Sequence, residues 1–378
     1  TRDLVAIPSR GGVDSYKPVL DRLGAWLVQR NLPTTVLKGK TGATVGLTCE
    51  VKGTHSGPRW VLDACLDTAP YGDEYTWTHP PTSAVIDNGW LYGRGSADSK
   101  SGAAIFCHIA VRLNAITDQL HGSLALLFDV DEHTGGFGGA KRYFEGFDAP
   151  TDVAGVMIGY PGMDKLVVGG RGLHRAKLRV HGVASHSGGS KTTPSAIEKA
   201  AHLIRVLSTT GLPDGTNPEF PLTGKLTVTA VQGGEGYSIT PDLCTLNVDI
   251  RTTPIFNDET AALLLEQLVS RVDDAWPDTR STLIQVDTRW PAYALAQSSR
   301  LRTAITEAAK AAGVEVEAKV AGPSNIGNYL AGLDIPATAG FGVAYVGLHG
   351  ADERIQLDTI PTVQAIYHAA VLTLLDAG

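Results

Sequence analysis

DNGWLYGRGSADSKSG, residues 87–102, and DEHTGG, residues 131–136, are the stretches on which the reading of the fold turns. Each sets acidic side chains in a glycine-rich loop beside a regular element. The first leads into a helical pattern at 100–115; the second follows the apolar run SLALLFDV at 123–130. Working outward, WVLDACLD (60–67) and AGVMIGY (154–160) also read as buried strands, and helical periodicity recurs at 16–30, 298–312 and 362–376. Such alternation indicates α/β layering around a largely parallel sheet covered on both faces. Asp67, Asp98, Glu132, His133, Tyr160 and His349 all fall where strands end and glycine loops begin, the place where open α/β sheets carry their sites. Taken singly, each has an ordinary explanation: loop acids cap helices or face water, and a lone histidine or tyrosine is more often packing than chemistry.

The texture changes between 172 and 288. AKLRVHGVAS, GKLTVTAVQGG, LCTLNVDIRTTP and TLIQVDT alternate apolar with polar residues, and helical patterns lie at 194–208 and 258–272. A βαββαβ order with one wet sheet face suggests a small α+β domain. It is expected as an insert, with 1–171 and 289–378 forming the other domain. Composition narrows the function. With 32 basic against 39 acidic residues, the net charge is −7, and no cationic face of the kind that phosphates or anionic lipid require is present. Nucleic-acid and membrane partners are therefore not expected. No stretch approaches the roughly 18 to 20 apolar residues of a membrane span, and TRDLVAIPSR lacks a signal-peptide core, so a cytoplasmic protein is expected. Cys49, Cys65, Cys107 and Cys244 lie far apart and read as thiols.

Taken in order, the motifs W-x-x-P (77–80), DNGWLYGRGSADSKSG, DEHTGG, GVASHSG (182–188), VDIRTTP (248–254), GPSN (322–325) and LHGADE (348–353) resemble one family over essentially the whole chain. It is the cocatalytic di-zinc amidohydrolases, which include aminoacylase, carboxypeptidase G, acetylornithine deacetylase and succinyl-diaminopimelate desuccinylase. The resemblance implies a zinc-exopeptidase-like α/β domain with a doubly covered mixed sheet, and an inserted ferredoxin-like lid at 172–288 that also makes a homodimer.

Carried over residue by residue, the resemblance implies a site with departures. Where relatives have His-x-Asp, this chain has Cys65-Leu66-Asp67; the bridging aspartate is Asp98. The usual Glu-Glu pair is Glu132-His133, an acidic first-zinc ligand is replaced by Tyr160, and the last histidine ligand is His349. Three of five ligand positions are changed. The second ion site would be Asp98, His133 and His349, an open set of two imidazoles and a carboxylate. The first would need Cys65 and Tyr160 ionised, so it is expected to be weak or empty. Asp67 would support the site from behind and raise the Cys65 pKa. Glu132 keeps the general-base position. His186 matches the lid histidine that reaches the partner subunit's site and stabilises the oxyanion, a task that Tyr160 would share in place of the lost ion. Arg251 matches a substrate-carboxylate clamp, while Ser238 and Asn325 depart from the family at substrate-binding positions.

Three functions compete. The first is hydrolysis of an amide in an N-acyl amino acid or small peptide-like substrate carrying a carboxylate, with one zinc ion and Glu132 as base. Iron or manganese suits the same donors, and an ion-free site is the remaining case. The second is an acyl transferase, amide-forming enzyme or cyclase, with Cys65 as nucleophile or with the altered Cys65/Tyr160 site binding substrate and excluding water. The third, a silent binding protein, fits poorly with retention of both Glu132 and His186.

Overall fold

In the computed structural model, which describes residues 1–376, the chain divides into two compact units. The first comprises Thr1–Val168, Leu295–Lys319 and the chain from Asp334 onward; the second comprises Gly169–Ala294 and Val320–Leu333.

Apolar runs at residues 60 and 123 become the centre of the first unit. Its strands are β1 (Thr34–Lys38), β2 (Thr44–Lys52), β3 (His55–Cys65), β4 (Ile86–Asp87), β5 (Trp90–Tyr92), β6 (His121–Asp129), β7 (Val153–Ile158) and β8 (Lys165–Gly170). From Gly122 to Asp129 every residue of β6 is buried, so both sheet faces are covered and alternation is absent. Helices α1 (Lys17–Val28), α2 (Ser101–Leu113) and α3 (Gly138–Glu145) supply part of that cover. Apolar side chains on one stripe of each meet the sheet, as Leu20, Leu23 and Leu27 of α1 do.

The second unit is built from β9 (Gly172–His181), α4 (Ala196–Thr209), β10 (Lys225–Gly233), β11 (Leu243–Thr252), α5 (Asp258–Asp274) and β12 (Leu283–Trp290). This is the expected βαββαβ order. The sheet is antiparallel throughout, ordered β10-β11-β9-β12. Ala176, Leu178, Val180, Cys244, Leu246, Val248 and Ile250 face a separate core closed by Leu203, Leu207, Leu265 and Val269 of the two helices. Between them Arg175, Arg179 and Asn247 stay exposed, which accounts for the alternation read from sequence. The unit is wider than the expected 172–288. It takes in 320–333 because the Asn328 amide donates to the carbonyls of Gly170, Arg171 and Pro291.

Returning to the first unit, α6 (Arg300–Ala311), β13 (Ala337–Ala339), β14 (Tyr345–Val346), β15 (Arg354–Gln356) and α7 (Ile360–Leu374) complete it. The main sheet runs β1-β2-β6-β3-β7-β13-β8. β6, β3, β7 and β13 are mutually parallel, and antiparallel pairing at β2/β6 and β13/β8 makes the sheet mixed. β14, β15, β5 and β4 form a small antiparallel sheet of their own. Among the described residues no helix is long and apolar enough to cross a membrane.

Candidate active site

Because β3, β6 and β7 are parallel, their C-terminal ends emerge together, and Asp67, Glu132, His133 and Tyr160 follow them within four residues. Asp98 comes from the loop between β5 and α2, and His349 from the loop between β14 and β15, where its backbone is left-handed at φ 59°.

These side chains converge. Asp98 Oδ2 lies 3.0 Å from His349 Nε2 and 3.5 Å from His133 Nε2. One donor atom from each of the three lies within 4.8 Å of the others. Donors around a tetrahedral ion with bonds of 2.0 to 2.1 Å are about 3.3 Å apart, so this triad has the spacing of a divalent-ion site. His133 adds a second sign: its side chain is 5% exposed, yet neither ring nitrogen makes a hydrogen bond. The donors present therefore fit a metal ion. Asp67 supports His133 from the other side, since its carboxylate accepts the backbone N–H groups of Glu132 at 3.2 Å and His133 at 3.0 Å and lies 3.4 Å from His133 Nδ1.

The electrostatics are dominated by crowded carboxylates. Burial pushes Glu132 up to about 7, with the Asp98 charge adding and His133 and Tyr160 partly opposing. Burial opposes charging of His133, but Asp67, Asp98 and Glu132 outweigh it and raise the imidazole to about 11. Asp98 is likewise buried, and the two imidazoles facing it hold its carboxyl well below the usual range. An ion entering here would displace a proton from His133.

Cys65 and Tyr160 occupy the altered first position. The thiol lies 3.8 Å from Asp98 Oδ1 and 3.2 Å from Ser99 Oγ. Its pKa is raised first by burial, then by Asp98 and Glu132; Asp67, singled out from sequence, ranks behind them. The phenol is pushed up by burial and by Glu132, and its hydroxyl donates to Glu132 Oε1 at 2.6 Å. The group expected to face an oxyanion thus rests on the base. Cys65, Asp67 and His133 also lie close enough to form a second donor cluster.

The remaining expected residues lie in the second unit. His186 is exposed in a short strand, Ser185–His186, that pairs with Ile239–Thr240, and its Nδ1 accepts the Gly188 N–H. Arg251 donates to both Asp249 oxygens at 2.7 and 3.2 Å and to Ser324 Oγ at 3.1 Å. The exposed Ser238 offers its carbonyl to Ser187 N–H. Asn325 caps the short helix Ile326–Ala331 through its side chain.

Sequence reasoning passed over four charged residues that frame the site. Arg94 and Glu353 form a buried pair beside the Asp98 loop, and Asp63 and Asp129 are buried acids on β3 and β6. The available signal was a charge inside an apolar strand, as in WVLDACLD and LALLFDV.

A mixed α/β scaffold whose strand ends gather two imidazoles and a carboxylate beside a glutamate carries the donor set and the carboxylate that a metal-dependent hydrolase uses. A profile of Peptidase family M20/M25/M40 matches residues 61–373, and the chain belongs to that family. It is accordingly an enzyme of the amidohydrolase and metallopeptidase type, dependent on metal. Succinyl-diaminopimelate desuccinylase of Marinobacter nauticus is 27% identical over 331 residues, 85% of each chain. The fold is shared with a tripeptidase from Staphylococcus aureus (TM-score 0.75, 19% identity, 99% of this chain and 96% of that one). It is shared also with a dinuclear metal-binding peptidase from Bacillus subtilis (TM-score 0.74, 17% identity, 100% and 97%).

Proposed function

We propose that this enzyme hydrolyses the amide bond of an N-acyl amino acid or small peptide-like substrate, with one divalent ion held by Asp98, His133 and His349 and with Glu132 as general base. The observation that carries the reading is Glu132 itself: a buried carboxylate raised to about 7, adjacent to the donor triad. A base whose pKa lies near the working pH both accepts and returns a proton efficiently. Bound there, a divalent ion, zinc first on this donor set, polarises the carbonyl and acidifies water. Glu132 takes the proton from the attacking water and delivers it to the departing nitrogen. Tyr160 orients Glu132 in the resting site and turns its hydroxyl toward the oxyanion as negative charge develops there.

The single ion follows from Cys65 and Tyr160. Both are neutral near pH 7, since burial raises both pKa values, and a thiol or phenol that keeps its proton is a poor ligand. The same buried thiol is a poor nucleophile, which weighs against a transferase or cyclase. Arg251, with Ser238 and Asn325, is assigned to the substrate carboxylate, and the exposed His186 to the site of a second subunit in a homodimer. Four buried free cysteines agree with work in the cytoplasm.

The test is turnover on a panel of N-acyl amino acids and dipeptides, with metal content measured in parallel. Glu132→Gln should keep the ion and lose about 10²- to 10⁴-fold in rate. Tyr160→Phe should lose about 10²- to 10³-fold, also with one ion per chain. Parental rates in Glu132→Gln, or two tightly held ions in the parent, would overturn the reading.

A further inference from the structure

We infer that the buried ion pair Arg94–Glu353 is the positioning device of the metal site, holding Asp98 and His349 in ligand geometry before any ion arrives. The inference rests on the reading that Asp98, His133 and His349 hold the ion.

The pair is closed off from water, with side-chain exposures of 2% and 0%, and Arg94 Nη1 meets Glu353 Oε2 at 2.6 Å. Burying two charges costs more than their attraction returns unless their remaining valences are also used. Here all but Arg94 Nε, which has no hydrogen-bond partner, are used on the two ligand loops. Glu353 Oε1 accepts the backbone N–H groups of Gly95 and Ala97 at 3.0 Å and of Asp98 at 3.4 Å. Gly95 turns the chain toward that oxygen at φ 83°, a conformation suited to glycine. Arg94 Nη2 donates to the carbonyl of His349 at 3.2 Å. One partner thus grips the backbone leading to Asp98, and the other grips the backbone of His349, although the two ligands are 251 residues apart in sequence.

The small sheet explains how such distant segments meet. β5 ends at Tyr92 and β15 begins at Arg354, and these two residues pair directly. Arg94 and Glu353 therefore stand at the mouth of a strand pair, and the Gly93 N–H bonds the Glu353 carbonyl to lock the register. Asp352, the next residue back, accepts the Thr78 N–H and hydroxyl at 2.7 Å each, so the turn carrying His349 is pinned on its outer side as well. The outcome is the 3.0 Å approach of Asp98 Oδ2 to His349 Nε2. His133 is set separately by Asp67, which makes the pair responsible for two of three ligands. Neither Arg94 nor Glu353 touches the ion position, so their effect is exerted through the ligand backbones.

The experiment measures zinc affinity of the folded apoprotein by competition with a chromophoric chelator. The proteins compared are the parent and its Glu353→Gln, Arg94→Lys, His349→Ala and Asp273→Asn variants. Glu353→Gln and Arg94→Lys should weaken zinc binding by about 10- to 100-fold with helix content unchanged, the range found for groups that orient metal ligands. Asp273→Asn breaks a comparable pair, that with the buried Lys199 at 2.8 Å in the other unit, and should lower the melting temperature without altering zinc affinity. Parental affinity in both Glu353→Gln and Arg94→Lys would overturn the inference. Parental affinity in His349→Ala, or no binding by the parent, would instead overturn the site reading and take this inference with it. Should the pair variants fail to fold, hydrogen exchange on the parent decides. The amides of Gly95 and Ala97 should be protected equally in chelator-treated and zinc-loaded protein. Free exchange without zinc and protection only with it would show that the ion orders these loops, and the inference would fall.

Discussion

Asp63 is 1% exposed on a strand of apolar neighbours, and its Oδ1 has no hydrogen-bond partner. Burial first, then the nearby Glu132 charge, pushes its carboxyl up to about 8. In an unfolded chain the same group titrates near 4, at about 3.9. The folded state therefore binds the proton more tightly, and the associated stability is complete below about pH 4 and is lost as pH rises toward 8. Asp63→Asn keeps the shape and removes the titration. Urea unfolding of chelator-treated protein between pH 5 and 8 should show the parent losing up to about 1.4 kcal/mol per pH unit relative to the variant. A difference that stays constant with pH would remove Asp63 from this role. The residue was in view in WVLDACLD, but a sequence shows neither depth nor neighbours. Four positions on, the Asp67 carboxylate accepts the backbone N–H groups of Glu132 and His133.

The elements show a similar division between what pattern reveals and what it does not. Helices expected at 16–30, 100–115 and 298–312 stand at Lys17–Val28, Ser101–Leu113 and Arg300–Ala311, since a period of 3.6 survives wherever one stripe is buried. The strand expected at 154–160 stops at Ile158, which leaves Tyr160 free of the ladder to reach Glu132. The small sheet is not legible in the sequence, because runs of two or three residues have no readable period, and neither is the meeting of Arg94 and Glu353. Contact between α2 and β7 was equally hidden. A Cβ added to Gly102, in the first turn of α2, would sit 2.5 Å from the Gly159 carbonyl oxygen, a backbone atom with little room to yield. Gly102→Ala should therefore push the helix off the strand end and cost roughly 1 to 3 kcal/mol, measured by denaturant midpoint. Its effect on turnover should exceed that of an alanine placed at the open Gly211, because the Asp98 loop and Tyr160 flank the contact. Equal stability in the two variants would show that the helix start is not tight.

At the scale of the whole molecule, two cores are visible, one built around β3 and β6 and one around β9 and β11. Each was legible as a change of pattern, from continuous to alternating strands. The membership of 320–333 was not, because it depends on the three hydrogen bonds of one amide. In the second unit β10 is an edge strand, and Val231, Tyr237 and Ile239 near it are 57%, 103% and 50% exposed. An unpaired edge with apolar side chains favours association, in keeping with the proposed homodimer. Sedimentation at micromolar concentration should give twice the chain mass, and a fully active monomer would remove His186 from a role in the partner subunit. The wide sequence separation of the proposed metal donors has a bearing on biosynthesis. Asp98 and His133 leave the ribosome long before His349, and the Glu353 that steadies Asp98 follows later still. A nascent chain that stops short of residue 349 carries only two of the three proposed donors, Asp98 and His133. If Asp98, His133 and His349 hold the ion as proposed, the full donor set comes together only once the segment carrying His349 and Glu353 has folded against the Asp98 loop.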